Sequence, residues 1–419
     1  MVSGELRGGF VMGKNEMIIA EGVSYSLNCY ETKLNNNVLV VGTSGAGKTR
    51  SIVTPNLLQA TGSYIVSDPK GNLYEKYGPY LKNQGYEVKK LDFTDPENSA
   101  HYNFFKYIRK TQDINKISHM IIYSKGQDGY KPDPFWDEAS ELLLQALIAY
   151  LYEGFRSSEQ NLRSVQKLID ACNIDENDSG RATILDKLME AHEKEYEDSY
   201  AVSQYKKFRV AAGKTLKSIL ISLNARIGQF DTPELRELTK YDTIRISGIG
   251  MKPTAVFVVV SDTDRSLDGL ANLFFTQAMN ELCWQADKRC KGNTLPVPVR
   301  FILDDFATNC KIAEFPRMIA SIRSRGISTM LMIQSEAQLE EGYNKDARTI
   351  IGNCDTYVYL GGNDVDTAEA VARRCDVPLK KILNMPVETN WIFRRGQEPV
   401  NSKNYNIEHL LKEKNIAER

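Results

Sequence analysis

Short apolar runs at 38–41, 63–67, 87–91, 255–261, 299–303, 328–333 and 356–360 carry few polar positions, and stretches with helical spacing of apolar residues lie between them. A strand that is apolar on both sides of its pleat must be covered on both faces, which is the situation of a parallel sheet flanked by helices. The pattern therefore predicts an α/β fold with a mainly parallel central sheet. A further run at 390–395 (NWIFRR) mixes charged and apolar positions as an edge strand does. The first forty residues, punctuated by Gly8, Gly9, Gly13 and Gly22, read as a small β-hairpin region leading into the first sheet strand.

Between 156 and 242 the strand pattern stops and helix formers take over. That is too long for a crossover and fits an inserted all-α domain. The chain divides accordingly into a first core segment (1–156), the insert (157–243) and a second core segment (244–419). The run 142–151 (LLLQALIAYL) is too short to span a membrane and reads as a helix buried on nearly all sides.

Charge is polarised within the insert. Residues 170–198 hold ten acidic and three basic side chains, whereas 199–230 hold six basic and none acidic. Leu216, Ile219, Leu220, Leu223 and Ile227 recur at helical spacing, so one face packs and another presents Lys214, Lys217 and Arg226. Lys206, Lys207, Arg209, Lys214, Lys217 and Arg226 are thus candidate contacts for DNA or a partner. A solvated face paired with the preceding acidic segment is the alternative.

At 419 residues the chain suggests two or three domains, or one large α/β domain with an insertion. Its net charge of −1 gives no global bias toward nucleic acid, so any polyanion site is a local patch. The seven cysteines include no C-x-x-C, as expected of reduced thiols in a cytosol, and the four histidines share no ligand spacing. Neither a secretory signal nor an apolar run of membrane-helix length is present, so the chain itself is expected to be soluble.

The most specific signal is Gly42-Thr43-Ser44-Gly45-Ala46-Gly47-Lys48-Thr49, which reads G-x-x-x-x-G-K-T directly after the strand-like run 38–41. The glycines let backbone N–H groups close around phosphates, Lys48 reaches the β- and γ-phosphates of ATP, and the Thr49 hydroxyl ligates Mg²⁺. Arg50 follows and either touches phosphate or faces solvent. The second half of such a site is an apolar strand ending in a carboxylate, which Phe301-Ile302-Leu303-Asp304-Asp305 supplies. Asp304 is the metal-side candidate, and Asp305 the candidate base for the attacking water.

Gln334 ends another strand on the ligand-binding rim, where an amide either orients water or simply satisfies a loop. Arg323 and Arg325, on a helical turn closing at Gly326, are either arginine fingers for a neighbouring subunit or surface cations. Pro69 and Gly71 define a turn expected to expose Asp68 and Lys70 on the same rim. Pro55, soon after the loop, should kink or end its helix early.

Taken together, GTSGAGKTR followed by PNLLQ, then SDPKGNLYE, FILDDFAT, SIRSRGISTMLMIQSEAQL, IIGNCDTYVYLGGND and NWIFRRGQEPV resemble the TraG/TraD-type coupling ATPases of conjugative type IV secretion systems. The resemblance runs from about Asn37 onward, and its most specific parts are the DPKG turn, the LDDFA strand end and IGNCD. It implies a RecA-like P-loop domain with an inserted all-α domain, six subunits around a channel, and DNA-stimulated hydrolysis of ATP with Mg²⁺. Lys48, Asp304, Asp305, Gln334 and Arg323 would carry the catalysis.

The implied partners are relaxase-bound single-stranded DNA, the relaxase and accessory proteins, and components of the secretion system. The implied location is the cytoplasmic face of the cell membrane. Family members usually begin with two membrane-spanning helices, so this sequence is expected to be an excised cytosolic part or a soluble variant, with a monomer as the alternative to the working hexamer. The second acid is usually glutamate, where this chain has the shorter Asp305. Two other functions compete: a nucleotide-binding receptor or adaptor with little hydrolysis, and a translocase of double-stranded DNA.

Overall fold

The computed structural model describes residues 15–123, 134–173, 182–211, 213–308 and 310–416. Its chain opens with an antiparallel hairpin, β1 (Glu16–Ala20) and β2 (Val23–Ser26). Gly22 turns the hairpin at φ 69°, while Gly8, Gly9 and Gly13 lie outside the described residues.

Nine strands follow in one sheet: β3 (Val38–Val41), β4 (Ser63–Ser67), β5 (Glu87–Asp92), β6 (Thr254–Val259), β7 (Val299–Leu303), β8 (Ile327–Ile333), β9 (Thr356–Tyr359), β10 (Thr389–Arg394) and β11 (Val400–Lys403). Their spatial order is β11-β10-β9-β3-β8-β7-β4-β6-β5. The pairs β9–β3, β3–β8, β8–β7, β7–β4 and β4–β6 are parallel, and β10 runs antiparallel to both its neighbours. Each apolar run read from the sequence is a strand here. The 390–395 run is not at the edge, however: β11 pairs along its outer side and takes the edge position. The alternating burial of β10 belongs to a strand bonded on both sides and covered on one face.

The register fixes where chemistry can happen. Val41 pairs with Ile333, and Leu303 pairs with Leu331, so β3, β7 and β8 deliver the residues after them to one rim of the sheet. One sheet face, which includes Val38, Val40, Val66, Ile302 and Met330, packs in a single apolar cluster with Ile52 and Leu57 of the segment after β3. Fully burying each such side chain is worth about 1.5–3 kcal/mol. This core anchors the loop that joins β3 to that segment.

Two compact units divide the chain. The sheet unit comprises residues up to Lys90, Arg245–Asp262 and the chain from Ala278 on; the other comprises Leu91–Ile244 and Thr263–Gln277. Within the second unit, the helix Pro134–Gly154 packs against Thr111–Ile122, Leu162–Ala171, Tyr200–Phe208 and Gly213–Gly228. Its residues 143–151 are all buried. The unit begins well upstream of the helical stretch 157–243 because this central helix is apolar all round and needs neighbours on every side. Among the described residues of the chain, no helix is long and apolar enough to cross a membrane.

Candidate functional site

The loop after β3 is held at both flanks. Gly42 donates its N–H to Ile333 O at 3.1 Å, and Thr43 donates to Gly361 O at 3.2 Å. Gly45 (φ 80°) and Gly47 (φ 90°) take left-handed backbone conformations that a side chain would strain. Lys48 is only 8% exposed, and its ammonium folds back to donate to Gly42 O (2.5 Å) and Thr43 O (3.1 Å). Burial pushes the Lys48 pKa below its ordinary value, and the nearby carboxylates of Asp304 and Asp305 oppose that shift.

Past the loop the chain forms a π-turn, Thr49–Val53, and then an α-helix, Thr54–Leu58. Thr54 N–H closes on Thr49 O, five residues back. The widened turn absorbs Pro55, whose nitrogen has no proton to give, so the helix runs on to Leu58 instead of ending at the proline.

Across from the loop, β7 ends in Asp304, and Thr49 Oγ1 donates to Asp304 Oδ2 at 2.8 Å. Ser67 Oγ and Cys310 Sγ both donate to the Asp304 carbonyl, each at 3.3 Å. Asp305 donates its N–H to Asp304 Oδ1 at 3.1 Å and sits at φ 51°, in the left-handed region that aspartate tolerates better than most residues. Phe306 N–H then rejoins Met332 O at 2.9 Å, so the acidic turn is clamped between β7 and β8.

Burial raises the Asp304 pKa, and the Asp305 charge adds to that; Thr49 and Lys48 pull it down. A buried carboxylate disfavoured as an anion, next to a hydroxyl oxygen, fits a small hard cation that keeps its remaining positions for water and phosphate. Among the described residues, no group of three or more His, Cys, Asp or Glu side chains forms a separate metal cluster.

Other rim residues take distinct positions. Gln334 is exposed at the end of β8, and its N–H donates to Gln338 Oε1 (2.8 Å). Gln338 in turn donates to Thr308 Oγ1 (2.7 Å), tying β8 to the acidic turn. Asp68 is not exposed as its turn suggests. It is 2% accessible and accepts the N–H of Tyr74, capping the helix Asn72–Asn83. Lys70 does stand out, paired with Asp262 at 3.9 Å. Arg50 extends along the surface to Glu408 at 3.5 Å.

Arg323 and Arg325 sit in the 3₁₀ turn Ile322–Arg325, before β8, and hence at the opposite end of the sheet from the loop. Seven strand residues separate them from the rim, roughly 20 Å at the usual rise. Arg323 donates to Cys29 O (2.7 Å), and Arg325 grips Asp287 through two nitrogens at 2.9 and 2.8 Å.

Two neighbours of the loop were not singled out from the sequence. Asn404, just past β11, donates to Ala46 O at 3.4 Å, and a Cβ on Gly362 would lie 3.0 Å from the Thr43 side chain. The Gly361-Gly362 pair was visible as a backbone-approach signal; Asn404 gave none, because β11 lacks an apolar pattern.

In the helical unit, the basic stretch is largely engaged. Lys206 pairs with Glu193, Arg209 pairs with Asp186 at 2.9 Å, and Arg226 bonds both Asp137 and the Ile122 carbonyl. Lys207 bonds Gln204 at 3.2 Å. Lys214 is exposed and Lys217 half-buried on the helix Gly213–Gly228. Residues 174–181 of the acidic segment lie outside the described residues.

A family model described as type IV secretory system conjugative DNA transfer matches residues 5–376. Protein VirD4 of Rhizobium rhizogenes is 23% identical over 355 residues, covering 80% of this chain and 48% of its own length. Conjugal transfer protein TraG of Escherichia coli is 22% identical over 354 residues, covering 80% and 54%. The chain thus spans about half the length of the curated relatives it matches.

Among solved structures, the plasmid coupling protein TrwB in complex with the ATP analogue ADPNP matches with a TM-score of 0.68 at 18% identity, over 96% of this chain and 90% of that one. TrwB with ADP and Mg²⁺ matches with the same score and identity over 95% and 93%. VirB4 of Thermoanaerobacter pseudethanolicus matches with a TM-score of 0.55 at 13% identity, over 97% and 99%. The fold shared with TrwB is RecA-like, with a mostly parallel central sheet.

Proposed function

This chain belongs to the type IV secretory system conjugative DNA transfer family, and we propose that it is the ATP-hydrolysing part of a conjugative coupling protein. In this reading it recruits relaxase-bound single-stranded DNA and drives or gates its passage into a secretion channel. It works as a homo-hexamer at the cytoplasmic face of the membrane, with the relaxase, accessory proteins and secretion components as partners. The observation that carries the reading is the 2.8 Å bond from Thr49 to Asp304, which joins the phosphate loop to the acidic strand end.

Lys48 now donates to two neutral carbonyls; phosphate oxygens offer it charged acceptors, which make stronger hydrogen bonds. Thr49 and Asp304 would hold Mg²⁺, which supplies neutralisation of phosphate charge when bound. Asp305 takes the proton of the attacking water, and Gln334 orients that water from the neighbouring strand end. Arg323, remote from its own loop, serves a neighbouring subunit's γ-phosphate. Lys214, exposed on the helix Gly213–Gly228, is the basic residue best disposed to meet DNA, because Arg209 and Arg226 are held by acidic partners in their own unit.

Steady-state hydrolysis tests this. Asp305→Asn is expected to lower kcat by about 10²–10⁴-fold with nucleotide affinity retained, as loss of a positioned base does. Turnover indifferent to Asp305 would leave a nucleotide-binding adaptor as the better reading.

A further inference from the structure

At the far end of the sheet from the phosphate loop, the register places Tyr64 beside Arg300 and Arg300 beside Ser328. The three side chains form one cross-strand row on β4, β7 and β8, on the same face. Together with Asn15, Asn36 and the segment Leu27–Tyr30 that follows β2, this row lines a cavity of about 250 Å³. Apolar walls come from Leu27, Tyr30 and Ile327, and Arg323 lies at its margin. None of the described residues that line it is acidic.

Arg300 is 6% exposed. Its Nε donates to Ser328 Oγ at 3.3 Å, and among the described residues its two terminal nitrogens have no hydrogen-bond acceptor. Burial pushes its pKa below the ordinary arginine value, as expected of a cation withdrawn from water with no carboxylate beside it. A buried unpaired charge is costly, and a fold that retains one gains from an anion that completes it. Since Ser328 accepts from Arg300, its own proton is available to a ligand.

We infer that this cavity is a second ligand site, distinct from the phosphate loop, which takes a small organic oxyanion: a carboxylate or phosphate monoester on an apolar body of about one ring. The guanidinium offers its terminal nitrogens to two oxygens at once, the geometry in which arginine binds carboxylate and phosphate. The volume sets the size. At about 30 Å³ per water the space corresponds to roughly eight waters, below the usual range of drug-sized pockets.

The test uses the full chain carrying Lys48→Ala, so that the phosphate loop does not contribute, with phenyl phosphate and benzoate as probes and benzyl alcohol as the neutral control. Calorimetric titration is expected to give one site for at least one anion, with benzyl alcohol binding roughly tenfold or more weakly. Arg300→Met keeps the apolar stem and should weaken the anion by a similar factor, while melting no lower than its parent because an unpaired buried charge is gone. Arg300→Lys, the second variant, should retain part of the affinity. Anion binding unchanged in Arg300→Met, equal binding of benzyl alcohol, or no saturable site for either anion at millimolar concentration overturns the inference.

Discussion

Lys48 and Asp304 face each other across the mouth of one loop, and burial works against the charge of both. In the folded chain Asp304 holds its proton more tightly than in the unfolded chain. Its favourable contribution to stability is therefore complete below the unfolded value of about 3.9, and is lost as pH rises through the raised folded value. At pH 7 the ionised carboxylate is a net cost. Asp304→Asn should accordingly raise the melting temperature of the nucleotide-free protein at pH 7, with the gain shrinking toward pH 4, while Mg²⁺-dependent nucleotide binding disappears. Melting curves across that pH range, with and without Mg²⁺ and nucleotide, check both halves. At this scale Lys48, Thr49 and Asp304, picked out of the sequence separately, lie together in the structure, because a glycine-rich loop and a strand-end acid leave little choice of geometry. Asp68 was misread as exposed because its role depends on the helix that starts four residues later, where it accepts the Tyr74 N–H of the first turn.

The helical unit separates two kinds of basic residue. Arg226 bonds Asp137, which is almost fully buried, so Arg226→Ala leaves an acid stranded in the unit and should cost about 3 kcal/mol or more in stability. Chemical denaturation measures that loss, and Arg226→Met with Asp137→Leu should recover much of it. Lys214→Ala should leave stability nearly unchanged and flatten the salt dependence of DNA binding by about one unit of log–log slope. An unaltered slope removes this helix face as a DNA contact. The strands were legible because burial on both faces forces uninterrupted apolar runs. β11 was not, since an edge strand with one partner keeps a polar sequence, and it therefore displaced β10 from the edge. The start of the helical unit was equally hidden: the helix Pro134–Gly154 announces that it needs partners on every side without saying which segments supply them. Pro55 pointed to a broken helix, yet a π-turn accommodates a proline at the same place.

At the scale of the whole molecule, Arg323 and Arg325 lie at the other end of β8 from the phosphate loop of their own chain, so in the proposed reading they act on a neighbour's loop. A site completed in trans makes specific activity rise with protein concentration as subunits assemble. It also makes two inactive variants complementary: Lys48→Ala and Arg323→Ala should each lose roughly 10³-fold in turnover, and their mixture should recover a measurable fraction. No recovery at concentrations where the wild type is active would assign Arg323 to packing alone. The central claim, that this chain hydrolyses ATP in response to DNA, is tested most directly by steady-state ATP turnover of the assembled protein with Mg²⁺, measured with and without single-stranded DNA and compared with Lys48→Ala. The account predicts turnover that requires Mg²⁺, rises with DNA and is abolished by Lys48→Ala; turnover that ignores DNA, or that survives Lys48→Ala, would contradict it.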